Sequence, residues 1–209
     1  GTEGVAVASV PVTGVVEGDV DEAILRRLIT EAGGDLGVVH VTNGKSRLTR
    51  GLRGFNSAAR HSPWVVLVDL DRDGDCAPPF VQAWLPSPAP HMCLRVAVRE
   101  AEAWLLADAA GLAAFLGVPV SRIPGDPDSL DDPKRELVSI ASRSRRIAIR
   151  EDLVPRPSSG RTEGPAYTSR ILEFVLGTWN PAVAAVGSDS LRRCRRRIRE
   201  LIDADRLRG

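Results

Sequence analysis

Aromatic residues are scarce in this chain, at 4% of 209 residues, with a single Tyr and a single Met. So few rings give little material for a surface that stacks successive bases. Cysteine is nearly missing: Cys76, Cys93 and Cys194 are odd in number, far apart and without CxxC or Cys/His spacing. That argues against a zinc ribbon or a disulfide scaffold and suits a reducing cytoplasm, the expected compartment. No apolar stretch nears the roughly 20 residues that span a bilayer, and no basic-then-apolar leader opens the chain. A charge of one sign is missing too. Against 28 Lys and Arg stand 27 Asp and Glu, leaving +1, so the average carries no polyanion signal. Lysine itself is rare: Lys45 and Lys134 are the only two among the 28 basic residues. A GC-rich coding bias would explain the preference for Arg. A surviving Lys then marks a place to look for a mobile point charge at a site.

What is present suits a folded α/β chain, with 43% hydrophobic and 26% charged residues. The length allows one large domain or a core with a helical appendage. Val- and Ala-rich runs predict strands over residues 5–16, 36–41, 64–69 and 91–98, the first made irregular by Pro11 and Gly14. A helix is expected over 19–31, with Asp19 as N-cap, Glu22 closing a capping-box-like pattern, and Gly33-Gly34 as its stop. After the turn Asn43-Gly44-Lys45-Ser46 an Arg-rich helix runs to about His61. Further helices are expected over 80–84, 100–116, 134–144, 166–179 and 188–207, with a mobile surface loop at 153–164. Strands alternating with helices predict a parallel sheet of about four strands flanked by helices. Residues 1–117 form this α/β core, and 118–209 a mainly helical extension packed on it.

The most informative stretch is the apolar run from Val65 to Val68, which gives way to Asp69, Asp71, Asp73 and Asp75 at alternate positions. A continuous β-branched run reads as a strand buried on both faces. Its carboxyl end is the edge where open parallel sheets bind ligands. Clustered carboxylates there repel one another unless a proton or cation intervenes, and hard oxygen donors suit Mg²⁺ or Mn²⁺. Glu17-Gly18 ends the first strand, and in a parallel sheet both ends point the same way. An EF-hand is a poor match, because the twelfth position from Asp69 is Phe80 and no helix enters the loop. Asp73 and Asp75 have the plainer alternative of Asx-turn bonds to their own backbone. Glu100, just past the fourth strand, reaches the same edge. Glu102 lies about 200° round from it on a helix, so Glu100 is the better site residue, and Trp104 and Leu105 read as core. Gly44-Lys45-Ser46 lacks the earlier glycine of a phosphate loop, yet Lys45 follows the second strand and is placed to reach the site.

Glu17-Gly18 before a helix, with an apolar strand closing in Asp69-Leu70-Asp71, resembles the Toprim domain of topoisomerases, primases and related nucleases. Glu100-Ala101-Glu102-Ala103-Trp104-Leu105-Leu106-Ala107-Asp108 is similar to a family of short bacterial Toprim-like proteins of uncharacterised function. The resemblance covers roughly residues 5–110 by motif. It implies Mg²⁺ or Mn²⁺ held by Glu17, Asp69 and Asp71, which would also carry catalysis; from their own positions Asp73 and Glu100 are expected to support the metal, and Lys45 to stand beside the catalytic residues. With Tyr167, the lone tyrosine, expected in a surface region, water rather than Tyr would be the nucleophile. The implied function is metal-dependent phosphodiester hydrolysis of nucleic acid in a defence or mobile-element setting, with a possible partner ATPase. The alternatives are a phosphotransferase or nucleotide hydrolase on a small substrate, and a non-catalytic subunit of a partner ATPase complex.

Basic clusters supply the expected nucleic-acid contacts. Six Arg fall within residues 192–199, among them Arg192, Arg193 and Arg196. Arg47, Arg50 and Arg53 lie loosely on one side of the second helix, and Arg143, Arg145, Arg146 and Arg150 form a third group. Arg-rich faces suit phosphate backbones. A solvated helix face is the plainer reading, and Glu200, Asp203 and Asp205 make the basicity of the last helix local. The sequence leaves DNA against RNA, one metal against two, and the oligomeric state open.

Overall fold

The structure is a computed structural model that describes residues 9–70, 77–97 and 101–208. The α/β part runs β1 (Val10–Val16), α1 (Asp19–Glu31), β2 (Gly34–Val41), α2 (Lys45–Ala58), β3 (Trp64–Asp69), α3 (Ala77–Trp84) and β4 (Met92–Ala97). Among the described residues seven helices follow: α4 (Glu102–Leu106), α5 (Ala109–Leu116), α6 (Pro133–Ala141), α7 (Ile147–Leu153), α8 (Tyr167–Gly177), α9 (Pro181–Gly187) and α10 (Asp189–Arg206), with 3-10 turns at Val120–Arg122 and Pro127–Ser129.

All four strands pair in parallel, in the order β2-β1-β3-β4. The chain steps one way from β1 to β2 and the other way from β2 to β3 to β4. Right-handed crossovers then require α1 on one face and α2 and α3 on the other. The core divides that way. Val12, Val16, Val65 and Leu67 pack with Ile24 and Leu28 of α1. Val15, Val66 and Val68 pack with Leu48 and Leu52 of α2, and Val81 and Trp84 of α3 lie against them. Period-two alternation along β3 thus feeds two cores from one strand.

The α1 face also receives the C-terminal helices. Trp104, Phe174, Trp179, Leu191 and Ile198 belong to the same continuous cluster as Val65 and Cys93. The described residues 118–208 therefore contribute to the same core as the α/β part. Among the described residues no helix is long and apolar enough to cross a membrane.

Several local expectations need correction. The described part of the first strand starts at Val10, and residues 1–8 lie outside the described residues. Its irregularity is a register shift against β2 between Val12 and Gly14. A Cβ on Gly14 would stand 3.0 Å from both Leu25 and Leu36 side chains, so glycine permits the close packing there. The N-cap of α1 is Gly18 rather than Asp19, and Asp21 rather than Glu22 closes the turn, its Oδ2 accepting the Gly18 N–H at 3.0 Å. Glu22 instead pairs with Arg26 one turn on, at 3.0 Å. The expected single helix over 100–116 is two helices, because Asp108 interrupts it. One Asp108 oxygen accepts the Gly111 N–H at 3.1 Å as the cap of α5, and the other accepts the Asn180 N–H at 2.9 Å. Helix α9 was not anticipated, although Asn180-Pro181 is a cap followed by Pro at the first helical position. Helix α7 was missed as well.

Candidate metal centre

The strand order reverses between β1 and β3, and ligands of open α/β sheets bind at such a switch point beyond the strand carboxyl ends. Glu17 directly follows β1 and Asp69 is the last residue of β3. The two are brought together. Glu17 Oε1 accepts the Asp69 backbone N–H at 3.3 Å, and Asp69 Oδ1 accepts the Ala101 N–H at 2.9 Å. Behind them the fully buried Leu70 anchors the turn, its N–H donating to Ala97 O at 2.9 Å. Three segments thus meet at one edge: the β1 exit, the β3 exit and the start of α4. Each carboxylate is oriented by a backbone donor, as ligand carboxylates commonly are.

These are hard oxygen donors, and they fit a divalent cation of the Mg²⁺ or Mn²⁺ class. Among the described residues no group of three or more His, Cys, Asp or Glu side chains gathers to hold a metal. The described part supplies two, Glu17 and Asp69. Asp71, Asp73 and Glu100, expected beside them, lie outside the described residues, as does Asp75. Among the described residues soft ligation has no support: burial pushes the Cys93 thiol up to about 11 and raises Cys194 as well.

Lys45 stands on the same edge, as the first residue of α2. The turn before it uses positive φ at Asn43 (52°) and Gly44 (125°). Thr42 ties this turn to the β1 exit, its N–H and Oγ1 donating to Val16 O at 2.9 and 3.1 Å. Thr42 carried no signal in the sequence, yet it holds the Lys45 turn one residue from Glu17.

Glu102 and Tyr167 overturn expectation in a second way. Tyr167 is not on the surface but 3% exposed, and its hydroxyl donates to Glu102 Oε1 at 3.0 Å. Glu102 is itself only 8% exposed. Burial raises its carboxyl above the ordinary range, outweighing Lys134, its own backbone N–H and the Tyr167 hydroxyl, which all pull it down. Lys134, the other rare lysine, lies 4.9 Å from the Tyr167 ring centroid and 3.3 Å from Glu163 Oε2. A carboxyl raised in the folded state favours folding below its unfolded value and loses that contribution as pH rises through the folded value. Glu102→Gln keeps an acceptor for Tyr167 and removes the buried charge. In EDTA it is expected to melt above the wild type at pH 8, the gap closing as pH falls towards 4. Thermal denaturation followed by circular dichroism checks this, and a gap independent of pH would contradict it.

The basic clusters differ in what they face. Arg47, Arg50 and Arg53 are exposed on α2, and among the described residues none forms an ion pair. On α10 the arginines meet carboxylates. Arg192 and Arg193 pair with Asp189, the latter at 2.7 Å, Arg196 approaches Glu200 at 3.7 Å, and Arg195 pairs with Glu31. In the third group Arg146 and Arg150 donate to the carbonyls of Phe115 and Ser144. Comparison with known proteins finds no match to a family model, a curated protein or a solved structure, and what the chain is shown to be is an α/β protein with a four-strand parallel sheet in the order β2-β1-β3-β4.

Proposed function

We propose that this chain is a metal-dependent phosphodiesterase of nucleic acid, with Glu17 and Asp69 as the anchoring ligands of Mg²⁺ or Mn²⁺. The observation that carries this reading is the contact of the Glu17 carboxylate with the Asp69 backbone at the switch point, where the Asp69 carboxylate is itself held by the Ala101 N–H. Glu17 follows the first strand and Asp69 closes the third, where the resemblance to Toprim domains expects them, and Asp71, Asp73 and Glu100 complete the donor set in sequence. A bound divalent cation supplies Lewis-acid polarisation of a phosphoryl oxygen and a water of lowered pKa. The chain's own residues supply the rest. Asp69 and Glu17 are held in orientation by backbone donors. Lys45 offers a positive charge on the same edge.

Arg47, Arg50 and Arg53 run along α2 away from that edge, and their freedom from ion pairs among the described residues favours α2 over α10 as the phosphate-backbone contact. A polymer substrate uses such a track, whereas a small substrate does not, so nucleic acid is preferred to a free nucleotide as the substrate of this site.

The test is cleavage of mixed DNA and RNA substrates in Mn²⁺ and Mg²⁺, with the Arg47→Ala/Arg50→Ala/Arg53→Ala protein alongside. Cleavage that EDTA stops is expected from the wild type. The triple variant is expected to bind substrate more weakly, with the slope of log affinity against log salt reduced by roughly 1 for each phosphate no longer neutralised. No cleavage in either metal, together with no metal binding by calorimetry, would sink the proposal. Metal binding without cleavage of any polymer would transfer it to a small phosphorylated substrate or a non-catalytic subunit.

A further inference from the structure

A cleft of about 680 Å³ opens between α6 and the segment that links α7 to α8. Its size falls in the range of small-molecule sites, roughly 300–1,000 Å³. The linking segment is a loop with closed ends. Gly164 N–H donates to Leu153 O at 2.9 Å, Ala166 N–H donates to Asp152 O at 3.0 Å, and Arg170 pairs with Asp152 at 2.7 Å. A Cβ on Gly164 would collide with the Asp152 carbonyl, so glycine allows the two strands of the loop base to meet. Ser158 and Gly160 turn the tip with φ of 63° and 68°. The stretch read from sequence as a mobile loop is thus pinned at its base, in the manner of an Ω-loop. It brings Arg161 and Thr162 to the cleft wall facing α6.

The lining is cationic and partly apolar. Lys134 and Arg135 come from the first turn of α6, and Arg161 from the loop. The one carboxylate of the lining, Asp132, caps α6, its Oδ1 accepting the Arg135 N–H at 2.8 Å, and stands against three cationic side chains. Lys134 is held in place by the Tyr167 ring and by Glu163. Among the described residues Arg135 and Arg161 form no ion pair. Guanidinium groups carried on facing walls suit a phosphate, which they bind through paired donors. Ser139 and Thr162 add hydroxyl groups. Val138, Val154 and Pro155 provide an apolar surface beside the charges, which a bare phosphate does not use and a nucleoside does.

We propose that the cleft between α6 and the 154–163 loop binds a nucleoside phosphate through Arg135 and Arg161, with the nucleoside against Val138, Val154 and Pro155. The ligand is either a free mononucleotide or the phosphorylated terminal nucleotide of a strand. The lining includes neither Glu17 nor Asp69, and the proposal does not depend on the metal reading.

Calorimetry in EDTA tests it with purine and pyrimidine 5′-monophosphates, inorganic phosphate, and a hexanucleotide with and without a 5′-phosphate. A mononucleotide is expected to bind at least about tenfold more tightly than inorganic phosphate, since only it uses the apolar wall. Arg161→Ala and Arg135→Ala, both at exposed positions, are each expected to weaken binding roughly tenfold or more, as for loss of a charge-assisted hydrogen bond, with melting temperature unchanged. Preference for the 5′-phosphorylated hexanucleotide over its 5′-hydroxyl form, abolished in Arg161→Ala, assigns the ligand to a strand end. Binding confined to mononucleotides assigns it to a free nucleotide. The proposal is overturned by the absence of binding at millimolar nucleotide, by inorganic phosphate binding as tightly, or by affinity that both variants leave unchanged.

Discussion

Asp69→Asn is expected to reduce metal-dependent cleavage by roughly a thousandfold or more while leaving the melting temperature in EDTA close to that of the wild type. Metal stabilisation of a phosphoryl transition state is worth several kcal/mol, and about 1.4 kcal/mol is a factor of ten. The amide keeps an oxygen for the Ala101 N–H, which Asp69 Oδ1 now accepts at 2.9 Å, so the start of α4 stays docked on β3. It removes the negative charge that a divalent ion requires. Asp69→Ala removes both. It is expected to lose the same activity and also about 1–3 kcal/mol of stability, the usual cost of a part-buried donor left without its partner. Rates and melting curves on the two proteins separate ligation from scaffolding. Full activity in Asp69→Asn would remove Asp69 from the catalytic centre, however well the edge is formed. Equal melting of the two variants would show that the Ala101 hydrogen bond contributes nothing to the fold.

The edge itself was legible in the sequence because topology does most of the work. A β-branched run without interruption predicts β3 at residues 64–69, and the strand is Trp64–Asp69. With β1 and β3 parallel neighbours and Val15 opposite Val66, the two strands end together, which brings Glu17 and Asp69 side by side. What could not be read is contact between residues far apart in the chain. Apolar spacing through Leu105, Leu106, Leu112 and Leu116 argues for one helix, and only the Asp108 bond to Asn180 shows why it breaks. Tyr167 sits after a polar, Gly- and Pro-rich stretch and looks exposed, yet it closes over Glu102, 65 residues earlier. The arginines of α10 are a different case. Asp189 and Glu200 stand three or four residues from Arg192, Arg193, Arg196 and Arg197, a spacing that predicts the observed pairing. That neutralisation was available locally and was outweighed by the count of six arginines.

Trp104→Ala is expected to lower stability by about 3–5 kcal/mol, the range for removing a buried large aromatic side chain. Trp104 is 0% exposed and stands where three parts of the chain join. Its Nε1 donates to Ser190 Oγ of α10 at 2.7 Å, and its carbonyl accepts the Trp179 Nε1 at 3.3 Å. Ser190 is held in turn by Asp128, which accepts its N–H at 3.2 Å and the Ser188 hydroxyl at 2.8 Å. Against a net stability of about 5–15 kcal/mol for a folded domain, the loss is large, and at about 2–4 °C per kcal/mol for a chain of this size it lowers the melting temperature by about 6–20 °C. Trp104→Phe keeps most of the volume and is expected to cost less, through the smaller ring and the Ser190 hydroxyl that loses its donor. Because one apolar cluster joins β1, β3 and α10, the damage is expected to spread through the whole chain. Far-ultraviolet dichroism, which reports the helices, and near-ultraviolet dichroism, which reports the tryptophans, should fall together in a single transition at the lower temperature. Two separated transitions, with the C-terminal helices melting first, would mean that residues 118–209 form a unit able to part from the sheet, and that the shared core is weaker than its continuity implies.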